Sequence, residues 1–578
     1  MSLERREAAG AIPDALRGLH PLLQRLYASR GIRSLDEVAY SLSGLADVDG
    51  LKGLDAAVAR LFEALAARQS ILVVGDYDAD GATSTALAVR CLRRMGAAAV
   101  DYLIPNRFDF GYGLTPALVD VVADHPPALI VTVDNGIASH RGIERARTLG
   151  IDVIVTDHHL PSSQPPPATA IVNPNQPGDA FPSKALAGVG VVFYLMAALR
   201  RRLQAERWFE RRGLEPVVMG DFLDLVALGT VADVVPLDAN NRILVEQGLR
   251  RIRAGKAVPG LLALLNVAGK NHRKTVATDL GFVVGPRLNA AGRLDDMSIG
   301  IECLLTDDAT AAMTLASELD EFNRQRKAVE AEMRVEAEAL CQRIEIDGEL
   351  EKGLCLHSDN WHQGVVGLVA SRFKEKLHRP VIAFAPEESG GVWKGSGRSV
   401  PGLHLRDALA RINSRHPGLI EKFGGHAMAA GLSVRHENLE AFSRRFAETV
   451  REMAPENCFR PVVISDGELN AHELNIHTAH LLRNCGPWGQ QFPEPVFDGV
   501  FQVIAAKKLN GGFARFRLGR EGVAPVEAIL FETLEELPPV GGEIHIAYQL
   551  SVNDYQGIEG LQLIIKSILR VEGDQDKR

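Results

Sequence analysis

Three aspartates stand at alternate positions in the segment VVGDYDADGATS, residues 73–84. Asp76, Asp78 and Asp80 follow an aliphatic run, and carboxylates at this spacing would repel one another in any site closed to water. Divalent cations held by oxygen ligands would neutralise this repulsion. The segment therefore indicates a metal site, which other parts of the chain must complete.

Residues 70–160 alternate between aliphatic runs such as ILVVGD and amphipathic segments such as TSTALAVRCLRRMG. This alternation predicts a parallel β-sheet covered by helices on both faces, in which ligands bind beyond the carboxyl ends of the strands. Two further strand ends carry Asp134, in VDNG, and the run Asp157, His158 and His159, in TDHH. We therefore expect these side chains to converge with the three aspartates.

Carboxylate oxygen and imidazole nitrogen, without thiolate, suit Mn²⁺ or Mg²⁺ better than structural zinc. Several carboxylates together are compatible with two ions about 3.5–4 Å apart, the arrangement that hydrolyses phosphodiesters. Another carboxylate is needed from outside the sheet, and Asp233 follows an apolar run in LVALGTVADVVPL, residues 225–237. Spacing alone leaves open whether Asp233 is a ligand. For Asp80, a candidate catalytic residue before GATSTAL, helix capping is the favoured role.

The composition limits the class of protein. With 578 residues, 46% hydrophobic and 24% charged, the chain reads as a globular protein of several domains. Its 64 basic and 73 acidic residues give a net charge of −9, so a polyanion would have to be bound locally. MSLERREAAG lacks the apolar core of a signal peptide, and AGVGVVFYLMAAL (187–199) is too short to span a bilayer. We expect a cytoplasmic protein without a membrane segment.

The cysteines argue against a zinc ribbon and against a disulfide framework, because no two of them form a C-x-x-C pair. They are expected to be buried, reduced thiols. They stand at positions 91, 303, 341, 355, 458 and 485.

Patterns along the chain predict an α/β protein of five regions. They are an N-terminal helical segment (1–65), the parallel-sheet domain (66–305), a connecting long helix (306–346), a second α/β domain (347–455) and a C-terminal β-barrel (456–572). The proline-rich segment 160–182 is predicted to be a surface loop. The long helix rests on apolar residues at helical spacing between 308 and 345. Packing of that helix along a single domain is the alternative.

The ordered motifs GDYDADG, VDNG, TDHH and GTVADVVPL resemble those of the DHH phosphoesterase family, which is named after a triplet present here as residues 157–159. Further segments narrow the resemblance to the family's bacterial exonucleases. They are IPNR (104–107), GPRLNAAGRL (285–294), WHQGVVGLVASR (361–372), KGSGRS (394–399) and FGGHAMAAG (423–431). The resemblance implies a metal-dependent 5′-to-3′ exonuclease on single-stranded DNA, acting in recombination, recombinational repair and mismatch repair.

The resemblance also assigns roles at the strand ends. It implies that Asp134 bridges two ions and that His159 faces the scissile phosphate. A second metal ligand or a packing histidine is the alternative for His159. Some relatives carry a histidine just before the first aspartate, where this chain has Leu72, Val73 and Val74, so one ion is expected to bind more weakly. The implied metal ligands are Asp76, Asp78, Asp134, His158 and Asp233.

Further residues in the family's motifs are implied to hold the substrate. In the first α/β domain they are Arg107, Arg287 and Arg293, whose guanidinium groups suit phosphate oxygens. In the second α/β domain, which resembles the family's DHHA1 domain, Ser396, Arg398, Gly425 and His426 are implied to capture a terminal 5′-phosphate. Tight turns alone are the alternative explanation for the glycines.

The C-terminal barrel resembles an OB-fold, which often binds single strands. In GGFARFRLGR, strand alternation places Phe513, Arg515 and Arg517 on one face, and with Lys507 and Lys508 they form a candidate DNA groove. A solvated outer face is the alternative. Trp488, Phe492 and Phe497 are predicted to be core instead.

Other readings stay open at this point. A phosphodiesterase acting on cyclic dinucleotides or short oligonucleotides is disfavoured by the C-terminal barrel. A noncatalytic DNA-binding scaffold is disfavoured by the intact metal motifs. The resemblance implies single-stranded DNA with a 5′ end as substrate, single-strand DNA-binding protein and a helicase as partners, and a monomer.

Overall fold

The protein is described as a computed structural model. The structure describes residues 2–7, 10–106, 110, 112–161, 164–347, 351–387, 390–509, 512–532, 534, 536–555 and 557–571, without the side chains of 342–347 and 555. The chain divides into two compact units. The larger unit comprises Arg5–Asn323 and Ser465–Arg578, and the smaller unit comprises Met1–Glu4 and Arg324–Ile464.

The larger unit contains the predicted five-stranded parallel sheet. Its strands are continuous aliphatic runs because helices cover both faces. Across the sheet, the strands lie in the order Ala99–Leu103, Ser70–Val74, Leu129–Val133, Asp152–Thr156 and Ala170–Val172. The last of these lies within the segment that the sequence predicts to be a loop. ATAIV contains no proline, and Ala170 and Val172 are buried against the neighbouring strand.

Helices surround this sheet and make up most of the remaining chain before residue 305. They are Pro21–Ala28, Asp36–Ala39, Leu54–Ala66, Ala79–Arg94, Pro116–Asp120, His140–Thr148, Gly188–Ala205, Trp208–Arg212, Leu223–Ala232, Ala239–Arg253, Pro259–Val267, Ala277–Asp279, Gly285–Leu294 and Ser298–Leu305. A π-helical turn, Leu280–Val284, joins two of them. The first residues depart from the predicted helical segment: Ser2–Arg5 is a strand, and the Ser2 N–H donates to the Pro461 carbonyl at 3.0 Å.

The predicted long helix is Ala309–Asp347. The boundary between the two units falls within it, after Asn323. Leu319 packs in the core of the larger unit, whereas Met333 packs in a core of the smaller unit. The helix therefore connects two units, as predicted, and does not pack along only one domain.

The smaller unit contains a mixed five-stranded sheet with helices. Its strands lie in the order Lys422–Gly425, Ala429–Arg435, Val392–Arg398, Val381–Pro386 and Leu354–His357. Only the last pair is parallel. The helices are Val366–Leu377, Leu405–Arg415 and Leu439–Met453.

The C-terminal part of the larger unit is a closed five-stranded barrel, preceded by the helix Ile476–Asn484. Its strands close in the order Phe497–Lys508, Ala514–Arg520, Val523–Leu530, Ile558–Val571 and Glu543–Tyr555. Trp488, Phe492 and Phe497 are buried, as predicted. The rings of Trp488 and Phe492 stack on each other and on Tyr27, which fastens the N-terminal helices to the chain that enters the barrel.

The cysteines form no disulfide. Cys91, Cys303 and Cys341 are buried, whereas the other three are partly exposed, so the prediction of burial holds for half of them. Among the described residues, no helix is both long and apolar enough to cross a membrane.

Candidate metal centre

The loop after the first central strand places two aspartates at the start of a helix. Asp76 follows the strand Ser70–Val74, and its carboxylate accepts a hydrogen bond from the Tyr77 N–H at 2.7 Å. Asp78 Oδ1 accepts from the N–H groups of Asp80 and Gly81, at 2.9 and 3.0 Å, and so caps the helix Ala79–Arg94. The capping role that the sequence favoured for Asp80 therefore belongs to Asp78.

Asp80 lies inside that helix and faces the start of another. Its carboxylate accepts from the N–H groups of Gly188 at 2.6 Å and Val189 at 2.9 Å, the first residues of the helix Gly188–Ala205. These donors have no partner within their own helix, and the helix dipole favours a negative charge there. This arrangement fixes the Asp80 side chain in the interior.

Asp134 follows the next strand, Leu129–Val133, in a left-handed backbone conformation with φ = 61°. A Cβ atom added to Gly188 would lie 2.6 Å from Asp134 Oδ1, so a glycine is needed where that helix approaches the carboxylate. Asp134 is 2% exposed, and Asp134 Oδ1 accepts no hydrogen bond from any described residue. A buried carboxylate oxygen in this state fits a bound cation.

His158 brings the third strand end to the same place. His158 Nε2 lies 3.2 Å from Asp134 Oδ1 and 3.4 Å from Asp233 Oδ2. Asp233 ends the helix Leu223–Ala232, which is the apolar helical run predicted before it. The structure thus places a carboxylate from outside the sheet against ligands at the strand ends.

His159 is held by Asp157. Asp157 Oδ1 lies 2.7 Å from His159 Nδ1 and accepts the backbone N–H groups of His158 and His159. The other oxygen of Asp157 accepts from the Ile137 N–H at 2.9 Å. The Nδ1 atom is therefore the proton donor to Asp157.

The negative charges raise one another's pKa values. Burial and then the nearby charge of Asp78 raise the pKa of Asp80 to about 7 and that of Asp76 well above its ordinary value. Burial and neighbouring aspartates likewise raise the pKa values of Asp134 and Asp233. Clustered carboxylates that resist ionisation alone are stabilised as anions when a cation binds.

At His159, the interactions that raise the pKa together outweigh burial, which lowers it. Burial lowers the pKa of its imidazole as the largest single effect, but the hydrogen bond to Asp157 and the charges of Asp157, Asp233 and Asp76 together raise it to about 9. Burial would raise the pKa of Asp157, yet its hydrogen bond with His159 and the histidine charges lower it. Without bound cations, this balance favours the protonated ring at neutral pH.

Three sets of side chains can each hold a divalent ion, since the ligand atoms within each set lie within 4.8 Å of one another. Asp134 and His158 each belong to two of these sets, so the sets overlap in space. Oxygen and imidazole donors without thiolate match Mn²⁺ or Mg²⁺. The sets are Asp76, Asp78 and Asp134; Asp80, His158 and Asp233; and Asp134, His158 and His159.

Sequence reasoning missed residues that support this centre. Tyr112 Oη lies 3.4 and 3.5 Å from the two ring nitrogens of His159 and 3.4 Å from the Asp134 carbonyl. Asn289 Oδ1 accepts from the Ala79 N–H at 2.7 Å, and a Cβ atom at Gly292 would lie 1.9 Å from the Tyr77 carbonyl. The segments GYG and GPRLNAAGRL contained these residues, but only the arginines among them had a recognisable chemistry.

In the smaller unit, the predicted residues Ser396 and Arg398 lie next to each other. Arg398 Nη1 donates to Ser396 Oγ at 3.1 Å and to the Gly397 carbonyl, and no described carboxylate forms an ion pair with Arg398. A Cβ atom at Gly367, in the first turn of the helix Val366–Leu377, would lie 3.0 Å from Arg398 Nη2. Burial lowers the pKa of Arg398, and a bound anion would offset this cost.

Gly425 and His426 lie one strand away from Arg398. Gly425 pairs with Ala430, which pairs on its other side with Gly397. The His426 N–H donates to the Ala429 carbonyl, and Ala429 lies opposite Arg398. Gly425 has φ = 140°, and a Cβ there would lie 2.4 Å from the Ala429 carbonyl, so a glycine is required at this turn.

The predicted arginines of the first α/β domain differ in their surroundings. Arg287 forms a 2.8 Å ion pair with Asp320 and donates to the Val283 carbonyl at 2.7 Å, so its charge is already neutralised. The structure does not place it as an unpaired phosphate ligand. Arg293 lies in the last turn of the helix Gly285–Leu294. Arg107 lies outside the described residues.

In the barrel, the strand Ala514–Arg520 alternates as predicted. Arg515 and Arg517 are exposed, and Phe516 between them is buried. Lys507 lies opposite Arg515, and Phe513 packs edge-on against the exposed Phe531, 5.4 Å between ring centroids. Arg515 also pairs with Glu527 at 2.8 Å. Lys507, Arg515, Arg517 and Phe513 therefore lie on the outer face of the barrel. Lys508 pairs with the buried Ala514, so it does not share that face, contrary to the prediction.

Comparison with known proteins gives three family matches. Residues 70–230 match the DHH family, N-terminal domain; residues 350–452 match the DHHA1 domain; and residues 465–567 match the RecJ OB domain. The chain is 51% identical to the single-stranded-DNA-specific exonuclease RecJ of Escherichia coli (strain K12), over 98% of each chain.

Two solved structures are similar throughout this chain. RecJ from Thermus thermophilus in complex with Mn²⁺ has a TM-score of 0.77 and 32% identity, covering 99% of this chain and 79% of that one. The same protein in complex with Mg²⁺ has a TM-score of 0.73 and 30% identity, covering 98% and 77%. The ions in those structures agree with the donor atoms of this centre. The chain belongs to the RecJ family of single-stranded-DNA-specific exonucleases, within the DHH family.

Proposed function

We propose that this protein is a 5′-to-3′ exonuclease that hydrolyses single-stranded DNA to nucleoside 5′-monophosphates with two Mn²⁺ or Mg²⁺ ions. The observation that carries the proposal is the convergence of buried aspartates and His158 in three overlapping ligand sets. When bound, paired divalent ions supply an activated nucleophile and stabilise the charge that develops on a phosphodiester. The ligands would be Asp76, Asp78, Asp134, His158 and Asp233, with Asp80 completing the set around His158 and Asp233.

Asp134 would occupy the bridging position. It belongs to two ligand sets, and the absence of a side chain at Gly188 leaves room for its carboxylate. Asp80 is held by the N–H groups of Gly188 and Val189, so the same helix start positions both carboxylates.

His159 would act on the substrate directly. Asp157 holds Nδ1, and a raised pKa keeps the ring protonated at neutral pH, so Nε2 carries a proton. That proton can stabilise negative charge on a phosphate oxygen or pass to the leaving oxygen. In this role, the Asp157 carboxylate fixes the ring and stabilises its positive charge.

Recognition of a 5′-phosphate would come from the smaller unit. Arg398 is a largely buried cation with no described acidic partner, and Ser396 and the first turn of a helix lie beside it. A terminal phosphate would pair with the guanidinium group through charge-assisted hydrogen bonds. Gly425 and His426, one strand away, would complete this site, and Arg107 and Arg293 would contact the strand.

The barrel would bind the single strand further along. Its exposed Lys507, Arg515 and Arg517 attract the backbone, and Phe513 offers a ring for stacking. In the cell, we place the enzyme in the cytoplasm, as a monomer that acts with single-strand DNA-binding protein and a helicase in recombination, recombinational repair and mismatch repair. The relatedness to RecJ enzymes supports this assignment.

Digestion of end-labelled single strands tests the proposal. With Mn²⁺, a 5′-labelled strand should release its label early, as a mononucleotide. A 3′-labelled strand should keep its label on progressively shorter strands until the end of the digestion. EDTA should stop both reactions. Initial release from the 3′ end would contradict the direction. Absence of turnover would favour a DNA-binding scaffold, and turnover restricted to cyclic dinucleotides or very short oligonucleotides would favour a phosphodiesterase.

A further inference from the structure

Phe282 is an unusual surface residue. It is 80% exposed, the highest value for any large apolar residue in the described chain. Exposing a phenylalanine ring to water costs free energy that burial would recover. Isolated exposed apolar residues are common, so exposure alone does not indicate a role. The surroundings of Phe282 supply the further observations.

The backbone that carries Phe282 is held rigidly. Phe282 lies in the π-helical turn Leu280–Val284, whose end residues Leu280 and Val284 are both fully buried. Arg287 donates to the Val283 carbonyl at 2.7 Å and is itself fixed by the ion pair with Asp320. Turns of this kind interrupt helices frequently at functional sites. The backbone that carries the exposed ring is therefore held in place.

The same turn packs against the end of the helix that carries Asp233. A Cβ atom at Gly281 would lie 3.2 Å from Val231 Cγ1 and 3.7 Å from the Val231 carbonyl, and one at Gly285 would lie 3.1 Å from Ala232 Cβ. The Val234 N–H donates to that same Val231 carbonyl at 3.3 Å. The turn that carries Phe282 thus contacts the last helical turn before Asp233, and Val234 follows Asp233 directly in the chain.

Val234 is itself unusual. It is 63% exposed, and it adopts a left-handed conformation with φ = 61°, which β-branched residues rarely do. Such strain persists only when the surrounding structure enforces it, and it is concentrated at functional sites. A second exposed apolar side chain therefore stands next to the metal-binding carboxylate.

We propose that Phe282 and Val234 form an apolar platform beside the metal centre, on which a base of the single strand stacks. This inference rests on the proposed function, because it takes the substrate to be single-stranded DNA. A phosphodiester held by cations at Asp233 carries bases within reach of the neighbouring surface. A phenylalanine ring has no polar atom, so it accepts the face of any base without sequence preference. In duplex DNA both faces of each base are already covered, so the platform favours unpaired strands.

The experiment combines Phe282→Ala with strands that lack one base. The full chain is assayed with Mn²⁺ on 5′-phosphorylated single strands, either intact or with one abasic site at successive positions from the 5′ end. For the unaltered protein, one abasic position should raise KM about 10-fold. Phe282→Ala should raise KM on the intact strand by about the same factor and leave kcat within about 2-fold. In this variant, an abasic site at that position should cause no further increase in KM.

Matched variants separate stacking from folding. Phe282→Trp should restore the KM of the unaltered protein, whereas Phe282→Leu, which keeps apolar volume without a ring, should resemble Phe282→Ala. Val218→Ala removes another exposed apolar side chain, 60% exposed before the turn Met219–Phe222, and should leave KM and kcat unchanged.

The outcomes distinguish this inference from the proposed function. An unchanged KM for Phe282→Ala, or an abasic penalty that persists in it, would overturn the platform while leaving the exonuclease assignment intact. Equal KM values for the Leu and Trp variants would also overturn stacking. Failure of the unaltered protein to degrade any single strand would instead refute the proposed function.

Discussion

At the scale of single residues, the metal centre depends on Asp134 more than on any other carboxylate. Asp134 Oδ1 is buried and accepts no hydrogen bond from the part of the chain that the structure describes, and the residue belongs to two ligand sets. Asp134→Ala should therefore abolish cleavage while leaving strand binding largely intact, because the barrel and the Arg398 region, which we propose to bind DNA, do not include Asp134. Turnover of labelled single strand with Mn²⁺ and fluorescence anisotropy with EDTA measure the two properties.

Asp124→Ala provides the control for Asp134→Ala, since Asp124 is an exposed aspartate of the same domain outside the ligand sets. It should retain full activity. Substantial turnover by Asp134→Ala would remove Asp134 from the bridging position.

Asp157 controls the charge of His159. In Asp157→Asn, the imidazole loses the carboxylate whose hydrogen bond and charge raise its pKa most, so the pKa should fall from about 9. The ring should then be mostly neutral at pH 8. We expect kcat at pH 8 to fall about 100-fold, the usual scale of acid–base catalysis, with a smaller deficit at pH 6, where more of the variant's ring is protonated. The ratio of kcat values across pH 6–9 measures this, and a ratio independent of pH would contradict the protonated role.

Arg398 is expected to read the 5′ end. Arg398→Ala should reduce the preference for a 5′-phosphorylated strand over a 5′-hydroxyl strand about 10-fold, since a charge-assisted pair to phosphate is lost. The comparison is the ratio of kcat/KM for the two substrates. Arg435→Ala, which removes an exposed arginine paired with Glu421 on the adjacent strand, should leave the ratio unchanged. Equal losses on both substrates in Arg398→Ala would argue against phosphate recognition.

At the scale of elements, the start of the helix Gly188–Ala205 organises the centre. Its first N–H groups hold Asp80, and its first residue has no side chain because Asp134 occupies that space. Gly188→Ala would place a methyl group 2.6 Å from Asp134 Oδ1, so either the carboxylate or the helix must move. We expect at least a 10-fold loss of apparent Mn²⁺ affinity with a folded protein.

The measurement for Gly188→Ala is the Mn²⁺ dependence of turnover, together with the melting temperature in EDTA. Gly220→Ala is the matched control, because a Cβ there would meet no atom within 4 Å. Unaltered metal dependence in Gly188→Ala would show that the approach of this helix to Asp134 is not needed.

At the scale of the whole molecule, bound metal should contribute to stability. The raised pKa values of Asp76, Asp80, Asp134 and Asp233 mean that, without metal, the folded state loses stability as pH rises through those values. Divalent ions relieve this repulsion and bind better as the protons leave. At an ion concentration about 100 times Kd, metal binding should raise the free energy of unfolding by about 2.7 kcal/mol.

The difference in melting temperature between Mn²⁺ and EDTA should therefore increase from pH 6 to pH 8. Asp134→Asn removes one negative charge, so its melting temperature in EDTA should equal or exceed that of the unaltered protein, while its response to Mn²⁺ is much reduced. A metal-induced shift that is the same at both pH values would contradict the titration of these carboxylates.

The sequence by itself determined the parallel sheet, the connecting helix and the barrel. These elements follow from periodicity. Continuous aliphatic runs indicate strands buried on both faces, apolar residues at helical spacing indicate a helix, and short alternating runs indicate strands buried on one face. Sequence also indicated which strands end in metal-binding side chains, because parallel strands share one carboxyl edge. The motif order then indicated the family, which the matches along the whole chain confirm.

Only the tertiary structure decided which partner each side chain has. Asp78 and Asp80 are both aspartates near a helix start, yet one caps that helix and the other is held by a helix more than a hundred residues later. Arg287 lies in a motif but is neutralised by Asp320, and Ala170–Val172 joins the sheet although prolines surround it. Periodicity reports which face of an element is buried, whereas a hydrogen bond or an ion pair depends on the atoms that other segments bring to the same place.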